Sequence, residues 1–485
     1  MLALLNQIDD QSLHTEVCIV GAGPAGITLA LELAAKGVNV VLLEGGTLVP
    51  PGPDGLDLYR GEISGRKYRL PVSRLRYFGG TSGHWGGWCR PLDEVDFAPK
   101  PNIEFSGWPI TRKDLLPWYG PASRWLQIAS NEYFTDKPSP FEDVLLPETA
   151  GINNRFFRFS PPTRFGSEYQ ESIAGSKQIQ CFLGANATHM ERNHNDEITA
   201  VMARSLSGKK LTVRAEATVL AMGGIENARF LLNSEESSRP AIGNHSDWLG
   251  RCFMDHGGWW PGMLIAPAGL IYDRFDYQGA PIMPVLGIDE NLLLEQDLMN
   301  CCGLLQPMAF ADDIEQTYFL NTWLGGSKHL DSVDTYRLQL IFEPSPCRES
   351  RVTLSDDRDS LGLRRTHLHW ALNQADFARL SRSIDLFSNY FGVTGLGRMK
   401  LTRPVNRKNS EKRVGNGWHH MGTTRMSAQA STGVVDKNCR VHDMQNLYVL
   451  GSSVFPTVGF SNPTLTIVAL ACRMAKTLHG VLSRS

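Results

Sequence analysis

Apolar and polar positions follow two different rhythms along this chain. Near its two ends the rhythm is strand, turn, helix. Residues 17–20 (VCIV) read as a short apolar strand, residues 27–36 as an Ala- and Leu-rich helix closed by Gly37, and residues 38–43 as a second apolar strand ending at Glu44. Residues 180–183 predict a further strand. Residues 217–232 (ATVLAMGGIENARFLL) predict a strand, a glycine turn and a helix carrying Glu226 and Arg229. Residues 447–450 predict a strand that stops at Gly451, and residues 464–474 an apolar helix with Pro463 in its first turn. In between, the rhythm is that of paired strands. Residues 336–342 (YRLQLIF) predict a strand, and residues 351–354 pair with 367–370 across the polar turn 356–359. Phe377, Leu380, Ile384 and Phe387 share one helical face, which makes them core. Thr111 is placed to cap a helix starting at Arg112.

The 485 residues suggest two to three domains at about 150 residues each. With 42% hydrophobic and 20% charged residues, such a chain can bury large cores. A net charge of -2 gives no electrostatic ground for a nucleic-acid or acidic-membrane partner. No run of about 20 uncharged apolar residues appears, so no membrane span is expected. The opening MLALLNQIDDQSLH lacks a basic region and meets acid at Asp9, unlike a secretory signal. The nine cysteines are scattered, with only Cys301 and Cys302 close together, and reduced thiols in the cytoplasm are expected. No metal-ligand spacing stands out. His419 and His420 are adjacent, so on a helix or strand they would point apart.

Chemistry enters with the glycines. Gly21, Gly23 and Gly26 follow the first strand at GxGxxG spacing. Gly21 permits the tight turn, Gly23 lets backbone approach a pyrophosphate, and Gly26 lets helix pack on strand. Pro24 and Ala25 open the helix whose positive end would face the phosphates. Glu44, about 20 residues on, suits ribose hydroxyls and argues against NADP. Strand, helix, strand and acid in register outweigh a bare glycine turn. FAD and NAD both fit so far. The second turn, with Ala221, Gly223 and Gly224, taken alone reads as an ordinary strand-to-helix turn; beside the first it suits a flavoprotein whose nucleotide domain is assembled from separate segments. The loop FGGTSGHWGGWC (residues 78–89) adds Gly80, Thr81 and Gly83, whose backbone can pass close to a flat ring, with His84 and Trp85 as its bulky side chains. Ala187, in the triplet 186–188, lines an adenine or sits in a plain loop.

The chain resembles the glucose-methanol-choline (GMC) family of FAD oxidoreductases. It is most similar to the branch with pyranose oxidase, gluconate dehydrogenase, fructose dehydrogenase and bacterial glycoside 3-oxidases. The matching segments, in the family's order, are GAGPAG with Glu44, FGGTSGHW, GWPITRKDLLPWY, VLAMGGIENARFLL, ESRVTLSDDRDSLGL, WHHMGTTRM and GFSNPTLT. Residues 259–336 carry no usable match, and the substrate would be read there. The resemblance implies an α/β fold (α+β overall). A discontinuous Rossmann-like FAD-binding domain would span 1–95, 160–256 and 405–485. A substrate domain on a mostly antiparallel sheet would take part of 96–159 and 257–404.

The resemblance also implies roles. An alcohol loses a hydroxyl proton and a carbinol hydride, the hydride going to flavin N5, and a histidine suits the proton at neutral pH. His419 matches the family's catalytic histidine in H-x-x-G-T. Asn462 matches its second residue, and its amide would stabilise the developing alkoxide by about 2 to 4 kcal/mol. His420 is their neighbour. Gly451 and Ser452 would contact the ribityl-phosphate region, and the helix opened by Asn462, Pro463 and Thr464 would stabilise reduced flavin. His84 matches a histidine bonded covalently to flavin in some relatives, and here a non-covalent packing role is favoured. The expected activity is FAD-dependent oxidation of a secondary alcohol of a sugar or glycoside, with O2 or a quinone-like electron acceptor. A polyol or natural-product alcohol is the alternative. A flavin monooxygenase or NAD(P)H-dependent reductase would want a second complete GxGxxG, which the chain lacks. A flavin-binding protein without activity is the remaining class.

Overall fold

The computed structural model describes residues 1–128, 145–277, 279–308, 333–402, 405, 410 and 413–484. Among these, two sheets carry the architecture. The first has eight strands, and its centre is parallel. Leu2–Leu4, Ile179–Leu183, Val40–Glu44, Gln11–Val20 and Lys210–Leu220 lie side by side in that order, followed by the antiparallel pair Ile198–Arg204 and Asn186–Arg192. Leu447–Val449 adds a parallel partner to Lys210–Leu220. These strands are apolar on both faces because helices cover them. Pro24–Ala34 and Thr464–Leu482 pack together, and Arg112–Trp125 packs on the latter. The main chain of Thr111 donates to the Asp114 carboxylate at 2.8 Å, so the expected cap is present.

Thr464–Leu482 is long and apolar enough by length and composition to cross a membrane. Here it is a core helix. Leu465, Val468, Leu470, Ala471, Ala475 and Leu478 are buried in the larger apolar core.

The second sheet has nine strands, antiparallel throughout, running in the order Arg398–Leu401, Gly257–Pro267, Val333–Phe342, Cys301–Pro307, Ala280–Ile288, Ile152–Phe159 and Trp88–Cys89, with two short strands beside this path. Phe377, Leu380, Ile384 and Phe387 of the helix Gln374–Val393 are buried in its core, as the stripe predicts. Of the stretch expected to read substrate, residues 278 and 309–332 lie outside the described residues.

A third, three-stranded sheet joins distant parts of the chain. Arg351–Arg358 and Arg364–Trp370 form the expected hairpin. The latter strand also pairs in parallel with Gly61–Gly65. Val352, Leu368 and Trp370 enter the larger core beside the parallel sheet rather than the core of the antiparallel one.

Candidate active site

The carboxyl ends of the parallel strands open on one cavity of about 510 Å³, within the usual size of a ligand site. Val20, Glu44 and Leu450 stand at those strand ends and line it. Three helices begin at its wall: Pro24–Ala34, Gly223–Leu232 and Thr464–Leu482. Their unpaired N–H groups and dipoles favour a ligand with negative charge.

The glycine turn is built as its spacing implies. Gly21 has φ +108°, and a Cβ there would lie 2.6 Å from the Ala221 carbonyl oxygen, because the two glycine turns touch. A Cβ at Gly26 would lie 1.9 Å from the Gly21 carbonyl oxygen. This glycine therefore serves helix-to-strand packing and does not line the cavity. Glu44 is buried, and its carboxylate accepts the N–H groups of Ala22 (2.9 Å) and Gly46 (2.7 Å), which fixes the acid at the strand end. By contrast, a Cβ at Gly23, Gly223 or Gly451 would meet nothing within 4 Å, and all three line the cavity. Together they form a cradle into which side chains would otherwise project.

Pro24, Ala25, Glu44, Gly80, Thr81, His84, Trp85, Ala187, Ala221, Ser452, Asn462, Pro463 and Thr464 share this cavity. Gly83 does not: a Cβ there would strike the Tyr77 hydroxyl, so this glycine serves close packing. Ala187 lies in the strand Asn186–Arg192 rather than a loop, beside the cavity. Pro463 stands at the N-cap of its helix, one position before the expected first turn. The Ser452 hydroxyl is already used, donating to the His420 carbonyl at 2.6 Å. The His84 side chain is exposed at the cavity wall, its ring 6.0 Å from that of Trp418. Partial burial, then Arg164, pushes its pKa down.

One wall of the cavity also holds an ion cluster that the residue pattern did not reveal. Arg74 pairs with Glu226 at 2.7 Å, Arg229 with Glu226 at 3.1 Å, and Arg229 with Asp359 at 2.5 Å. Burial alone would raise the Glu226 carboxyl, but Arg229 and Arg74 outweigh it and hold it below its ordinary range.

At another part of the wall, His419, His420 and Asn462 come together. His419 Nε2 is 3.3 Å from Asn462 Nδ2, and His419 Nδ1 is 2.8 Å from His256 Nδ1. His420 points elsewhere, packing between Tyr68 and Phe253, and its Nε2 has no hydrogen-bond partner among the described residues. Burial is the first cause that drives the His419 pKa well below the usual imidazole value, with His256 and His420 adding to it. His420 is held at about 3 by burial first, then Arg74. Both rings are therefore neutral near pH 7.

The backbone beneath these rings is held from below. Asp255 accepts the N–H groups of His419 (2.7 Å) and Trp418 (3.0 Å) and the Tyr68 hydroxyl (3.1 Å). Trp418 has φ +57°, uncommon for a bulky residue, so the carboxylate holds a strained turn in place. Residue types alone gave no reason to connect Asp255 and His256 with this site. The available signal was an acid and a histidine side by side in an otherwise apolar run, since buried charge is rare unless it has partners.

A parallel sheet with a glycine cradle, three helix N-termini and a ribose-ready acid defines a dinucleotide-binding protein, and neutral imidazoles in the same cavity equip it for proton transfer. A family profile described as GMC oxidoreductase matches residues 346–471, and one described as FAD binding domain matches residues 14–47. The chain is 33% identical to a C-glycoside 3-oxidase of Microbacterium trichothecenolyticum over 96% of each chain. It is 24% identical to a paromamine 6'-oxidase of Streptomyces fradiae, over 96% of this chain and 92% of that one. Among solved structures, pyridoxine 4-oxidase from "Mesorbium loti" has the same fold, with TM-score 0.60 and 18% identity, over 96% of this chain and 99% of that one. The chain belongs to the GMC oxidoreductase family and is an FAD-dependent oxidoreductase of alcohol groups.

Proposed function

We propose that the protein oxidises a secondary alcohol of a sugar or glycoside to the ketone, with His419 as the proton acceptor. The observation that carries this reading is the pairing of a neutral, half-buried His419 with Asn462 on the wall of the nucleotide cavity. Bound FAD supplies the hydride acceptor. Gly23, Gly223 and Gly451 would lie against it, Glu44 would take its ribose hydroxyls, and Ala187 would flank its adenine. Gly80, Thr81 and Trp85 would pass beside its ring system, with His84 packing there without a covalent bond.

An alcohol proton is far too weakly acidic to leave at neutral pH, so a poised base lowers the barrier. His419 is unprotonated near pH 7 and presents Nε2 toward Asn462, where a substrate hydroxyl would bind. The Asn462 amide can donate to the same oxygen as negative charge grows on it. His420 completes the wall behind. The helix that starts at Thr464 adds its positive end. The two named relatives act on a glycoside and on paromamine, which supports a glycoside-like substrate. The electrons would leave to O2 or to a quinone-like acceptor.

Anaerobic bleaching of the flavin by a panel of sugars, glycosides and polyols, followed by admission of air, tests both halves. His419→Ala is expected to keep FAD and to slow bleaching by about 100- to 10,000-fold. Unchanged bleaching would remove His419 from the mechanism. Bleaching by NADPH without alcohol would favour a reductase instead.

A further inference from the structure

We propose that His256 is a positioning residue that fixes the proton of His419 on Nδ1 and leaves Nε2 bare toward the cavity. This rests on the reading of His419 as the base. His256 does not line the cavity, so it acts only through His419.

The assignment follows from which groups can donate. His256 Nε2 lies 2.9 Å from the Gly459 carbonyl oxygen, which can only accept, so that nitrogen carries the proton. Burial, as first cause, pushes the His256 pKa down to about 4, so the ring is neutral and its Nδ1 is an acceptor. The only hydrogen that can lie between the two Nδ1 atoms, 2.8 Å apart, is then that of His419. At the other end of the ring, the Asn462 amide nitrogen can only donate, and it faces His419 Nε2. Both neighbours demand the same tautomer. The rings stand at 87°, which aims the His419 edge at its partner.

The acceptor carbonyl is itself anchored. Glu343 takes the N–H groups of Val458 (2.9 Å) and Gly459 (3.0 Å), and Lys100 holds Glu343 at 2.5 Å. The charged and titratable groups facing the two rings are Asp255 on the main chain of His419, Glu343 behind Gly459, and His420. A chain of bonds thus runs from a buried ion pair through Gly459 and His256 to the base. Five separate stretches of sequence, around residues 100, 256, 343, 419 and 459, supply it. When His419 takes a proton on Nε2, its Nδ1–H bond to His256 persists, and the imidazolium forms without turning the ring.

The test uses the FAD-loaded protein and two variants. In His256→Asn, the side-chain oxygen stands close to where the imidazole Nδ1 stood, so the acceptor is kept. In His256→Phe it is lost. His256→Phe is expected to keep FAD and to lower the limiting rate of flavin bleaching about 100-fold, with little change in the substrate concentration needed. His256→Asn is expected to stay within about tenfold of wild type. Histidine 15N NMR on the loaded wild type, with the signal assigned by its loss in His419→Ala, is expected to report Nδ1 protonated and Nε2 bare. A His419 protonated on Nε2 would overturn the proposal whatever the rates, and this measurement needs no folded Phe variant. Equal rates in wild type and His256→Phe, while His419→Ala is inert, would overturn this inference alone. A wild type that no alcohol bleaches would overturn the functional reading and this inference with it.

Discussion

The nucleotide end of the cavity is made of main chain, and the proton-handling end is made of side chains. At the first, glycines clear space, helix N-termini supply dipoles, and Glu44 is tied down by two N–H groups within a few residues of the turn. At the second, His419 is held by His256, Asn462 and Asp255, each far away in sequence. The first region is rigid because its chain path permits no alternative. The second is held because both ring nitrogens and the main-chain N–H of His419 each have a partner. A change at the first end should therefore act on cofactor retention, and a change at the second on the rate with cofactor still bound.

The largest expected effect separates two glycines of one motif. Gly21→Ala places a methyl 2.6 Å from a main-chain oxygen at φ +108°, a combination of clash and strain that the touching turns cannot relieve. We expect no soluble, yellow protein. Gly23 has φ -82° and open space before it, so Gly23→Ala should fold, with the melting temperature of the cofactor-free protein within about 2 °C of wild type. Its methyl would occupy the cradle and weaken FAD by roughly tenfold or more, about 1.4 kcal/mol. The ratio of absorbance near 450 nm to protein absorbance reads both. Full flavin in Gly23→Ala would break the assignment of this end to the cofactor.

The same division explains which parts of the molecule the residues alone disclose. Everything at the nucleotide end is local: a strand, a turn, a helix and an acid within residues 17–44, each following from spacing and propensity. The exceptions are instructive. Gly83 belongs to the same glycine-rich loop as Gly80, but only the position of the Tyr77 hydroxyl shows that it serves packing. The Gly61–Gly65 strand joins Arg364–Trp370 in parallel about 300 residues on, and no periodicity encodes such a pairing. At the proton end, His419 and Asn462 stood out through a family pattern. His256 lies 163 residues from His419; the Asp255–His256 pair in its apolar run marks a buried polar place, but not which residue it meets. Side-chain networks across such distances are properties of the folded chain.

A middle-sized effect probes the support beneath the rings. Asp255→Asn keeps the shape but replaces one acceptor oxygen with a donor. Three donors converge on this carboxylate, so at least one N–H or O–H would face another donor inside the protein. That should cost about 2 kcal/mol of stability and slow alcohol-dependent bleaching about tenfold through a displaced His419, with FAD content unchanged. Loss of flavin instead would mean that the two ends are coupled, against the division drawn above.

The smallest expected effect is a near absence of change with pH, and its sign can be worked out. The base must be unprotonated to work. A histidine at its ordinary pKa of about 6.5 would be only about one-quarter unprotonated at pH 6. His419 is held well below that value, by burial first and then by its two neighbouring imidazoles, so its own loss of activity moves to lower pH. The group near it that titrates in the window is Asp255, pushed up to about 6 by burial. Its charge is lost as pH falls through that value. The added proton would lie toward Tyr68, whose hydroxyl can turn to accept it, while the main-chain bonds to Trp418 and His419 remain. The bleaching rate at saturating alcohol should therefore fall less than about twofold between pH 8 and pH 6. In Tyr68→Phe, where no hydroxyl can turn, the same fall should be steeper. A wild-type profile that drops with an ordinary imidazole midpoint would mean that the base is not the ring of His419.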